Sequence, residues 1–105
     1  MASSTPHISK SAIMSALELV IDPEMYISIV DLGLIYDVAI SDKGAIDITM
    51  ALTTIGCPLF PVIERDILDR VGEVAEVTGV KVHVVFDPPW SVELMTEKGR
   101  AILGV

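Results

Sequence analysis

The chain has 105 residues, 51% of them hydrophobic and 5% aromatic, and a formal net charge of −8 from 15 acidic and 7 basic side chains. That length makes one small domain whose core must be built from Val, Ile, Leu and Met. The scattered basic residues (Lys10, Lys43, Arg65, Arg70, Lys81, Lys98 and Arg100) form no cationic face, which argues against nucleic acid and anionic membranes as partners. A single cysteine permits no internal disulfide. Met1 to Lys10 lacks the apolar run of a signal peptide, and no stretch is long enough for a transmembrane helix. A cytoplasmic location is expected.

Residues 1–9 are small and polar and read as a flexible tail, with the single domain spanning 10–105. Ser9 or Ser11 can cap a first helix, along which Ile13, Met14, Leu17, Val20 and Ile21 recur at helical spacing. Asp22-Pro23 ends that helix, because proline disfavours helical geometry in the residue before it. Residues 23–31 read as a loop.

A strand is predicted from Gly33, with Leu34, Tyr36, Val38 and Ile40 on one face. Asp42-Lys43-Gly44 reads as a hairpin turn. The return strand alternates Ile46, Ile48, Met50 and Leu52 against Asp47, Thr49, Ala51 and Thr53. A second helix is expected to start at Pro58 or Pro61, with the stripe Phe60, Ile63, Ile67, Val71 and Val74 and a stop at Gly79. Val80, Val82, Val84 and Phe86 predict one face of a third strand, which the prolines of Asp87-Pro88-Pro89-Trp90 halt. Thr96 is placed to cap a last short helix. The order α-β-β-α-β-α predicts an α+β two-layer sandwich, a small mixed sheet with helices on one face.

The most informative segment is Thr53-Thr54-Ile55-Gly56-Cys57-Pro58. It puts the single thiol at a strand-to-helix turn, where unpaired N–H groups and the helix dipole favour thiolate, the nucleophilic and metal-binding form. Free cysteine is often only a small buried hydrophobe. The flanking Gly56 and Pro58 are punctuation that such a role does not require. Thr53 and Thr54 are either donors to a ligand beside Cys57 or ordinary strand-end residues.

Four segments in order carry a resemblance: Asp22-Pro23-Glu24, Asp31-Leu32-Gly33-Leu34-Ile35-Tyr36, Met50-Ala51-Leu52-Thr53 through Gly56-Cys57-Pro58, and Asp87-Pro88-Pro89-Trp90. Together they resemble the SufT/PaaD-like iron–sulfur cluster assembly family over about Ile13 to Gly104. Ala51 departs from the threonine that many members carry there. The resemblance implies an accessory or targeting role in iron–sulfur protein maturation, with assembly factors or client iron–sulfur proteins as partners. It maps the family's cysteine onto Cys57, its acidic motifs onto Asp22, Glu24 and Asp31, and its Pro-Pro-Trp segment onto Pro88, Pro89 and Trp90.

Asp22 and Asp31 also suit loop-organising roles, in which a carboxylate bonds nearby backbone. Glu24 is the better partner contact, and Asp87 sits where a strand end approaches a sheet edge. Trp90 is expected to plug the core with one edge exposed. His83, in mid-strand, reads as an ordinary surface or satisfied residue, and His7 lies in the tail.

Ligand supply weighs against a resident iron–sulfur cluster. Such clusters are usually held by four ligands, mostly cysteine thiolates, and this chain has one cysteine. No stably bound cofactor is expected, with a transient cluster or iron at Cys57 as the alternative, and a homodimer is plausible. Two other function classes are a cysteine-dependent enzyme, for which His83 is the one available base, and a binding module in which Cys57 is inert.

Overall fold

The computed structural model describes residues 8–53 and 59–105. Its elements run α1 (Lys10–Glu18), β1 (Ile35–Ile40), β2 (Ala45–Met50), α2 (Phe60–Gly72), β3 (Gly79–Val84), a 3-10 turn (Val92–Leu94) and α3 (Glu97–Leu103). The sheet order is β1-β2-β3. β1 pairs antiparallel with β2, and β3 lies parallel to β2, in register from Ala45↔Gly79 to Met50↔Val84. This is the expected small mixed sheet in an α+β fold.

α1 and α2 pack against each other and on one face of the sheet. Between the layers lie Ile13 and Leu17 of α1, Ile63, Ile67 and Val71 of α2, and Val38, Ile46, Ile48 and Met50 of the sheet, all buried. The opposite sheet face carries Asp47, Thr49, Lys81 and His83. Period-two alternation in the strands and 3.6-residue spacing in the helices bring these two apolar faces together.

The caps follow local chemistry. Ser9 Oγ accepts from Ala12 N at 3.0 Å, and Thr96 Oγ1 accepts from Gly99 N at 3.0 Å. Pro61 sits in the first turn of α2, where its missing N–H costs nothing.

Several expected boundaries move. The first helix stops at Glu18, and Ile21, placed in its buried stripe by periodicity, is instead exposed and bridged to Ser28. The 23–31 loop contributes Ile27 and Ile29 to the core. Gly33 precedes β1 at φ +76°, and the register shifts between Ile35 and Asp37, so Ile35 and Tyr36 are both half-buried. β2 ends at Met50, and Ala51, assigned to the polar face, is buried. Its N–H donates to the Leu34 carbonyl at 2.9 Å. α2 ends at Gly72, and Gly79 opens β3 instead of stopping the helix. Phe86, expected on the apolar face of the third strand, lies beyond its end and is 58% exposed.

Candidate functional site

The described part of the candidate site is built where β2 and β3 both end. The Ala51-Leu52-Thr53 segment leaves β2 beside Val85 and Phe86, which leave β3, and Val85 N donates to the Met50 carbonyl at 2.8 Å. Pro89 and Trp90 close the space on the third side. The result is a cavity of about 230 Å³ lined by Ala51, Leu52, Thr53, Val85, Phe86, Pro89 and Trp90. Two parallel strands deliver their ends to the same edge, as expected of a β-α-β unit. Thr53 and Trp90, far apart in sequence, therefore line one cavity.

Trp90 is half-buried against the core, and its indole N–H donates to the Leu32 carbonyl at 2.6 Å. It plugs the core with one edge open, as expected of an amphipathic aromatic. Tyr36, which the sequence reading did not single out, donates its hydroxyl to the Pro88 carbonyl at 2.9 Å. The Pro-Pro-Trp segment is thus tied at two points to the Asp31–Tyr36 stretch. The signal that marks Tyr36 is its place in the same motif.

The acidic residues divide by role. Asp22 is buried, and its Oδ1 accepts from Glu24 N at 2.8 Å and Met25 N at 3.1 Å. This is an Asx-type turn, in which the side chain replaces a backbone acceptor. Asp31 is half-buried, its Oδ1 accepts from Thr96 Oγ1 at 2.9 Å, and Lys98 Nζ lies 3.9 Å from Oδ2. Its carbonyl also accepts from Thr96 N at 3.0 Å, which fastens the start of α3 to this loop. Glu24 and Asp87 are both exposed. His83 is exposed on the outer sheet face, where Nε2 lies 2.9 Å from Asp47 Oδ1. Among the described residues no three His, Cys, Asp or Glu side chains group to hold a metal ion. Thr54, Gly56, Cys57 and Pro58 lie outside the described residues, as does His7.

Among the described residues no helix is long and apolar enough to cross a membrane. A family model described as iron–sulfur cluster assembly protein matches residues 10–84. The chain is 43% identical over 96 residues to the Fe-S protein maturation auxiliary factor YitW of Bacillus subtilis, covering 91% of this chain and 94% of that one. It is 39% identical over 87 residues to the Fe-S protein maturation auxiliary factor SufT of Staphylococcus aureus, covering 83% and 99%. An iron–sulfur cluster carrier protein of Synechocystis is 37% identical over 82 residues, 78% of this chain but 23% of the carrier. Among solved structures, a domain of unknown function from Bacillus anthracis superposes with a TM-score of 0.85 at 41% identity, covering 91% of this chain and 92% of that one. The family match spans most of the domain, and the two maturation auxiliary factors align over nearly their whole length: the chain belongs to the iron–sulfur cluster assembly protein family.

Proposed function

We propose that the protein is an accessory or targeting factor in the maturation of iron–sulfur proteins, acting through protein contacts and the thiol of Cys57. The observation that carries this reading is the nearly full-length similarity, at 43% and 39% identity, to two proteins named as maturation auxiliary factors. In the proposal Cys57 is a transient ligand or a contact point for a client or carrier. The cavity beside Thr53 and Trp90 offers an apolar seat next to the segment that leads, in sequence, to Cys57.

The cluster is cargo in this reading. One cysteine per chain, or two in a homodimer, leaves a four-ligand cluster incomplete. Thiols of an assembly factor or a client complete the set. Carboxylates such as Asp22 and Asp31 are hard donors, poorly matched to a soft cluster, and here they already hold loops together. The protein works in the cytoplasm and catalyses no reaction of its own, and the cysteine-enzyme alternative depends on His83, whose ring nitrogen already pairs with Asp47.

Anaerobic purification followed by iron and sulfide analysis, with capture of partners by wild type and Cys57→Ala, tests the proposal. The expected result is substoichiometric metal and Cys57-dependent recovery of iron–sulfur proteins or their assembly factors. Stoichiometric iron and sulfide that survive gel filtration and vanish in Cys57→Ala would make the protein a cluster carrier instead.

A further inference from the structure

A second surface lies between the 22–27 turn and α3. It is a groove of about 410 Å³ whose apolar walls include Leu19, Ile21, Tyr26 and Ile102, with Glu18 and Lys98 among its polar residues. Leu19 is 57%, Ile21 47%, Tyr26 80% and Ile102 58% exposed. Four large apolar side chains gathered at one exposed place on so small a domain, with polar residues among them, form the kind of patch that marks an interaction site.

The backbone adds an independent observation. Tyr26 sits at φ +59°, a region that non-glycine residues occupy at a cost. Its N–H donates to the Asp22 carbonyl at 2.8 Å, and the buried Asp22 carboxylate fixes the residues just before it. The strained turn carries the chain back to the buried Ile27, yet the Tyr26 ring itself is left exposed. Such strain persists where the surroundings over-determine it, and it concentrates at functional positions.

The charges choose the occupant. Glu18 stands in the last turn of α1, at the negative end of the helix dipole, and that turn holds no basic residue. Among the described residues the Glu18 carboxylate has no hydrogen bond or ion pair, and the groove's cation, Lys98, lies 3.9 Å from Asp31. Asp31 also lines the groove, so its described lining carries two carboxylates to one ammonium beside the apolar side chains. A second copy of the chain is itself acidic, at −8 overall, so its approach adds to the negative charge instead of offsetting it. We propose that the groove docks a protein partner presenting an apolar side chain flanked by lysine or arginine. This surface does not depend on Cys57 or on the function proposed above.

The probe is a fluorescein-labelled amphipathic peptide with leucines on one face flanked by lysines, paired with a counterpart carrying glutamate for lysine. Fluorescence anisotropy and amide chemical shifts read the binding. The lysine peptide is expected to bind and to shift the amides of Leu19, Ile21, Tyr26 and Ile102, with the glutamate peptide about tenfold weaker or worse. Glu18→Lys should weaken the lysine peptide about tenfold and narrow the gap between the two. Tyr26→Gly should keep or raise the unfolding midpoint, because glycine relieves the strain, while weakening the lysine peptide about tenfold. Higher stability with lost binding is a pair that a merely structural tyrosine would not produce. Cys57→Ala should leave peptide affinity unchanged, which separates this test from that of the maturation role. Equal binding of the two peptides, shifts mapping elsewhere, or a concentration-dependent dimer abolished by Ile21→Ser would each overturn the proposal.

Discussion

The Trp90 indole N–H donates to the Leu32 carbonyl at 2.6 Å, joining the Pro-Pro-Trp segment to the Asp31–Tyr36 motif across 58 residues of sequence. Trp90→Phe keeps an aromatic ring but leaves that carbonyl without its donor. The expected cost is about 1–2 kcal/mol, read as a lower midpoint in urea with an unchanged slope. A variant as stable as wild type would show that packing alone holds the segment.

Asp22 presents an acceptor to two backbone N–H groups from a buried position. Asp22→Ala should cost about 2 kcal/mol, whereas Asp22→Asn keeps an oxygen acceptor and should cost less than about 1 kcal/mol. Maturation activity in cells that survives Asp22→Asn would confirm a loop-organising carboxylate. Activity lost in a fully folded Asp22→Asn protein would point instead to a need for its charge.

Gly33 lies at φ +76°, and a Cβ there would sit 2.2 Å from the Leu94 carbonyl oxygen, a backbone atom. Gly33→Ala therefore combines left-handed strain with overpacking that no rotamer change relieves. We expect a loss of about 2–4 kcal/mol in thermal or urea unfolding. Gly72→Ala is the control, because nothing lies within 4 Å of its added Cβ.

Cys57→Ala is expected to cost about 1 kcal/mol or less and to abolish the maturation role, since the residue follows a strand and precedes a helix instead of lying in an apolar stripe. Alkylation rate against pH should give a midpoint below the free-thiol value of about 8.5. A midpoint at or above that value removes the argument for an activated thiol. A collapsed unfolding transition in Cys57→Ala makes the residue structural.

Periodicity, punctuated by caps, turns and prolines, determined the element order, the mixed α+β class and most of the core. Ile13, Leu17, Ile46, Ile48, Met50, Ile63, Ile67 and Val71 all lie where an apolar stripe or alternation puts them. These signals are local, because a 3.6- or two-residue repeat states which face is apolar without knowing what covers it. Tertiary structure decided the cases where that inference is blind. Ile21 fits the helical repeat, yet its backbone bridges to Ser28 and its side chain faces outward. Ile27 and Ile29, in a stretch without periodicity, are buried. Phe86 fits the strand alternation, but β3 has already ended when the chain reaches it. At the candidate site the sequence named Asp22, Asp31, Thr53 and Trp90 without saying which of them meet. Thr53 and Trp90 line one cavity because parallel β2 and β3 end at one edge, while Asp22 and Asp31 spend their carboxylates on a turn and on a helix cap. Such meetings depend on strand order and register, which a chain acquires when its apolar faces close on each other.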